Sequence, residues 1–184
     1  MRLLARCLVV AFALAAALAC PAGAAAQDAS EAEIKAAFLC KFGDYVEWPA
    51  NGAPAEQASF GIAIAGTEAE AEVLQRVAAR ASVGGRPIRV RRLAPGELPQ
   101  DERILYVARS QAARAPELAA MAAERGMLVV TDEAGSGARG GMVNFVTENN
   151  KVRFDVDVAE ASTARLKLSG RLLSVARRVV GGAS

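Results

Sequence analysis

Histidine does not occur anywhere in this chain of 184 residues. Its absence removes the commonest general base, the commonest ligand for transition metals, and every Ser-His or Cys-His dyad. Cysteine occurs three times, and two of the three, Cys7 and Cys20, lie in the N-terminal leader described below. The rest of the chain then holds one thiol, Cys40, so an internal disulfide is excluded and a zinc site is nearly so. Cys40 stands inside an apolar helical stretch, where burial is expected. None of the four lysines stands in a recognisable Ser-Lys motif, and a non-catalytic role is favoured.

Long apolar runs are also missing beyond the first residues. Arg2 and Arg6 precede a run to Leu18 without further charge, and Ala24-Ala25-Ala26 supplies the small residues that a signal peptidase reads. The run is too short for the roughly 20 residues of a membrane span. Residues 1–26 are therefore expected to be a cleaved signal peptide, and 27–184 a single domain of 158 residues. Leu18-Ala19-Cys20 resembles a lipobox, but Ala17 and Pro21 suit one poorly. Removing the leader takes two basic residues and no acidic one, leaving 20 of each. A neutral domain carries no argument for nucleic acid or an anionic membrane surface.

Most of what the chain does have is punctuated apolar periodicity. Ser30 and Glu33 form a capping box ahead of Ile34, Ala37, Phe38, Phe42, Tyr45 and Val46, a helical stripe that Pro49 is expected to stop. This segment carries the only Trp, one of two Tyr and two of six Phe; Phe38 and Phe42 read as core, whereas Trp48 at the helix end reads equally as a contact residue. Phe60 to Ala65 has no polar face and suits a central strand. Thr67 and Glu70 cap the next helix, whose early glutamates discourage an anion site.

Arg86, Arg89, Arg91 and Arg92 crowd a strand around Ile88 and Val90. They read as a solvated or protected edge, or else as a partner patch. Further strands are expected at Ile104 to Ala108 and Met127 to Val130, with a helix between Pro116 and Gly126. Met142 to Thr147 and Val152 to Val158 make a hairpin turned by Asn149 and Asn150. Behind Ser169, Leu172, Leu173, Ala176, Val179 and Val180 recur as a helical stripe. The sum is an α/β fold: a mixed sheet of about six strands with helices on both faces, closing in a β-hairpin and a docking helix.

Two motifs invite chemistry and fail. Gly135 to Gly140 matches G-x-G-x-x-G but runs into a strand, where a dinucleotide site needs a helix to begin. Asp155 and Asp157 share a strand face without a third oxygen ligand, so pairing with arginine is the expected use. No cofactor, catalytic group or metal ligand is assigned.

The segments AFLCKFGDYVEWP, GGMVNFV, NKVRFDVD and LKLSGRLLSVA resemble the YfiR family of periplasmic regulators, in a likeness running from about Ala32 to Val180. The resemblance implies a periplasmic α/β domain, often dimeric, that binds the periplasmic part of an inner-membrane diguanylate cyclase and holds it inactive, restraining cyclic di-GMP signalling and biofilm formation. Redox-controlled members carry cysteine pairs; here Gln100-Asp101-Glu102-Arg103 has none. Tyr45, Glu47 and Trp48, with Arg139 in the glycine loop, are the candidate partner contacts. The other reading is a periplasmic small-ligand sensor, with its pocket where strand ends meet loops such as 132–141.

Overall fold

The computed structural model describes residues 30–48, 58–132 and 141–181. The expected signal peptide, the lipobox at Cys20, Pro49, the glycine motif and Arg139 lie outside them.

Helix α1, Glu31–Phe42, begins with the capping box: Ser30 Oγ accepts from the Glu33 amide at 3.3 Å while Glu33 accepts from the Ser30 amide at 3.0 Å. It ends seven residues before Pro49. A 3-10 turn, Gly43–Tyr45, leads instead into strand β1, Val46–Glu47. Gly43 lies so close to the next layer that a β-carbon there would stand 2.7 Å from Val83 and 2.9 Å from Phe60. The straight continuation is therefore replaced by a turn, and Val46 pairs with Leu168.

The central elements follow as β2 (Phe60–Ala65), α2 (Glu68–Ala78), β3 (Ser82–Val83), β4 (Arg86–Arg92), β5 (Ile104–Val107), α3 (Ala115–Glu124) and β6 (Leu128–Asp132). The hairpin is β7 (Val143–Glu148) and β8 (Lys151–Asp157), and the chain closes with α4 (Val158–Thr163), β9 (Lys167–Leu168), α5 (Gly170–Val175) and β10 (Arg178–Val180). The main sheet has eight strands in the order β10-β8-β7-β6-β5-β2-β4-β3, while β1 and β9 form a separate antiparallel pair. The six expected strands are its body, and β3 and β10 are short additions at the two edges.

Every residue of β2, β5 and β6 is buried, so both faces of the sheet are covered, as the apolar runs require. Strands β4, β2, β5, β6 and β7 are parallel; β7 and β8 are antiparallel. Asn149 and Asn150 both adopt positive φ, at 51° and 58°, the backbone of the tight turn their side chains tolerate. The chain leaves β2 for β4 on one side and returns to β5 on the other. That reversal opens a crevice at the carboxyl ends of β2 and β5, the place where open α/β sheets bind ligands.

The end of the chain differs from the helical stripe. Helix α5 is capped by Ser169, whose hydroxyl accepts from the Leu172 amide at 3.3 Å, and buries Leu172. It stops at Val175, and the last residues lie parallel to β8, with Arg178 opposite Asp155. Arg177 leads them there: its amide donates to the Phe154 carbonyl at 2.8 Å, and its Nε donates to Asp155 Oδ1 at 2.7 Å. Pairing satisfies backbone groups on the open edge of β8, which one more helical turn would leave bare. Val179 and Val180 consequently stay exposed.

Asp157, the other acid of that strand face, caps α4 by accepting from the Ala159 amide at 3.0 Å and the Glu160 amide at 3.1 Å. The β4 arginines are likewise engaged within the molecule: Arg89 with Asp101 at 3.2 Å, Arg91 with Glu102 at 2.6 Å, Arg92 with Glu68 at 2.7 Å, and Arg86 over the Phe60 ring.

Candidate functional site

Two concave regions flank α1. The first is an apolar groove of about 610 Å³ between α1, β8 and α5. Phe38, Phe42 and Tyr45 form one wall, Val152, Phe154 and Leu172 the other, and Lys41, Arg153 and Arg171 stand on the rim. Its aromatic walls continue into the core: the Phe42 ring lies 5.2 Å from Phe154 and 5.9 Å from Phe145, and Tyr106 meets Phe145 edge-on at 6.1 Å. Phe42 is buried, while Phe38 is only half-buried and lines the groove.

The candidate contacts part company here. Tyr45 lines the groove, and its carbonyl accepts from the Ser169 amide at 2.9 Å. Glu47 is exposed on β1 opposite Lys167. Trp48 turns the other way, packing edge-on against Phe60 at 5.8 Å and under the Arg103 guanidinium at 5.6 Å. Arg139 lies outside the described residues.

The second region is a polar cavity at the carboxyl ends of β5 and β6. Lys35 and Asp132 meet there at 2.8 Å with side chains only 6% and 9% exposed, which makes them a desolvated ion pair. Asp132 also accepts from Arg109 at 3.2 Å and from the Tyr106 hydroxyl at 3.4 Å. Lys35 makes a further bond to Glu31, one turn back on α1, at 2.5 Å. Burial, with the Asp132 charge beside it, pushes the Tyr106 phenol far above its ordinary value. The bond from Lys35 holds the Glu31 carboxyl below the usual range.

Periodicity misses this cluster, because it counts Lys35 as a polar gap between apolar positions and places Ala37 inside. The helix turns the other way: Ala37 is exposed and Lys35 lies buried beside Ala36 and Leu39. The usable signal was position, since Asp132 follows the apolar run Met127 to Val130 by two residues, at the carboxyl side of the sheet.

Carboxylates elsewhere are similarly tied. Glu102 has a completely buried side chain, yet the Arg91 guanidinium and the Gln100 amide overcome its burial and lower its pKa. Glu70 behaves alike: burial raises its pKa, and bonds from Thr67 and Ser110 more than reverse that. Groups with depressed folded pKa stabilise the protein above their unfolded value, near 4.5, and that stability is lost as pH falls through the folded value. Thermal unfolding is therefore expected to hold steady from pH 7 to 5 and to drop by several degrees below about pH 4.5; a flat profile down to pH 3 would contradict these assignments.

Cys40 is the one free cysteine among the described residues, and burial pushes its thiol up to about 11. Almost none of it is thiolate at neutral pH, so it cannot serve as an exposed redox handle. Among the described residues no group of three or more Cys, Asp or Glu could hold a metal ion, and no helix is long and apolar enough to cross a membrane.

No curated protein matches this chain. The sequence profile of the YfiR/HmsC-like family matches residues 32–177, a stretch that begins in α1 and ends beyond α5 and takes in the groove and all of the polar cavity's lining except Glu31. Over that length, covering most of the sequence, the chain belongs to the YfiR/HmsC-like family.

Proposed function

We propose that this protein is a periplasmic, non-catalytic regulator that binds the periplasmic segment of a membrane diguanylate cyclase and holds the enzyme inactive, lowering cyclic di-GMP and biofilm formation. The family match over residues 32–177 carries the reading. The groove supports it chemically. Partly exposed aromatic walls with a rim of Lys41, Arg153 and Arg171 suit an apolar segment flanked by acidic residues. Tyr45, Glu47 and Trp48 are the contacts we assign, with Arg139 as a fourth; a homodimer belongs to the same reading.

The test begins with capture of the tagged protein from its native envelope after mild crosslinking. An inner-membrane protein with a periplasmic segment and a cytoplasmic cyclase domain is the expected companion, and adding the regulator to that cyclase in vesicles should reduce cyclic di-GMP output. Tyr45→Ala is expected to weaken the complex about thirtyfold, the loss of roughly 2 kcal/mol typical of a central aromatic anchor. If Tyr45→Ala and Trp48→Ala both left affinity unchanged, this end of α1 would not be the contact. Trp48→Ala needs a parallel stability measurement, because its ring also covers Phe60.

A further inference from the structure

We propose that the polar cavity at the carboxyl ends of β5 and β6 binds a small zwitterion with an aliphatic body, an aliphatic amino acid or a short peptide of such residues. It has a volume of about 280 Å³, room for about nine water volumes, and shares no lining residue with the groove beside Tyr45.

Its charges select the ligand. Asp132 already accepts three bonds: one oxygen from Lys35 and Tyr106, the other from Arg109. Arg109 is different. Its guanidinium carries five N–H donors, its bond among the described residues is to Asp132, and its side chain is half exposed at the cavity mouth. Spare donors are therefore available to a carboxylate.

Across the cavity, Glu70 takes three bonds on Oε2, from the Thr67 amide, the Thr67 hydroxyl and Ser110, which leaves Oε1 to accept. Glu31 adds a second carboxylate, with nearly half of its side chain exposed. A ligand of one sign would meet a like charge wherever it sat; one carrying an ammonium and a carboxylate can pair both ends. Leu39, Leu74 and Ala36 complete the wall, and they offer an aliphatic body apolar surface. The cavity lies at the carboxyl side of the sheet, next to the strand-order reversal between β2 and β5.

The site stands whether or not the protein contacts a cyclase, because binding is measured on this protein alone. Calorimetric titration should use leucine and alanyl-alanine, with 3-methylbutylamine and 4-methylpentanoate as single-charge analogues of leucine. Saturable binding of leucine or the dipeptide is expected, with both analogues at least about tenfold weaker. Their relative affinities decide between free amino acid and peptide.

Arg109→Ala should weaken the carboxylate end and Glu31→Gln the ammonium end, each by about tenfold. Both side chains are about half exposed, so both variants should fold, and circular dichroism checks this. No binding of either zwitterion at millimolar concentration would overturn the proposal. So would analogues that bind as well as leucine, or affinity unmoved by both substitutions.

Discussion

Phe42→Ala is expected to lower the free energy of unfolding by about 3–5 kcal/mol, the usual cost of emptying a filled aromatic position. Phe42 is 1% exposed and its ring is shared by three others, at 5.2 Å, 5.9 Å and 6.0 Å. With Phe38 it holds α1 to the β7–β8 hairpin, and as the fully buried ring of the two it leaves a gap that its neighbours cannot close without moving the helix. Against a typical total of about 5–15 kcal/mol, such a loss should lower the melting temperature by on the order of 10 °C. Phe38→Ala provides the control. That ring is half-buried and borders the groove, so the same truncation should cost clearly less. If the two variants unfolded alike in urea, the division of this helix into a core residue and a groove residue would be wrong.

The second large effect concerns Asp132. Replacing it with alanine removes one acceptor from Lys35, Arg109 and Tyr106 together, and leaves Lys35, with its side chain 6% exposed, dependent on Glu31 alone. Breaking a buried pair in this way is expected to cost about 3–5 kcal/mol, because a charge is stranded away from water. Replacing both partners should behave differently. Lys35→Met with Asp132→Leu removes two desolvated charges at once and is expected to recover most of the loss. Urea unfolding of the unsubstituted protein, Lys35→Met, Asp132→Leu and the double variant forms a double-mutant cycle, and a double variant as unstable as the sum of the singles would show that the two side chains do not act as a pair. Recovered stability without recovered zwitterion binding would separate the cavity's ligand role from its contribution to the fold.

Much of this architecture was legible in local pattern. The alternation from Val152 to Asp157 marks β8, although Val158, expected to continue it, opens α4 behind the Asp157 cap, and Asn149-Asn150 supplies the two positive-φ residues that turn the hairpin. Ser30 with Glu33, and Thr67 with Glu70, cap the helices they precede. Each signal works because its partners lie within four residues, so no tertiary information is needed. The candidate contacts show the limit of such reading. Tyr45 and Trp48 lie three apart in the sequence and look like one surface, but the turn at Gly43 and the strand at Val46 send them to different neighbours.

The amino-acid sequence alone determined the starts of α1, α2 and α5, the buried strands and the hairpin, all consequences of residue type and short-range spacing. Tertiary structure decided what depends on distant partners. Lys35 lies inside because Asp132, 97 residues away, is there to receive it. The last three-residue strand forms because the open edge of β8 offers hydrogen bonds that a helix cannot use. Burial of a charge and choice of a strand partner are settled by what the rest of the fold places alongside, which no local window contains.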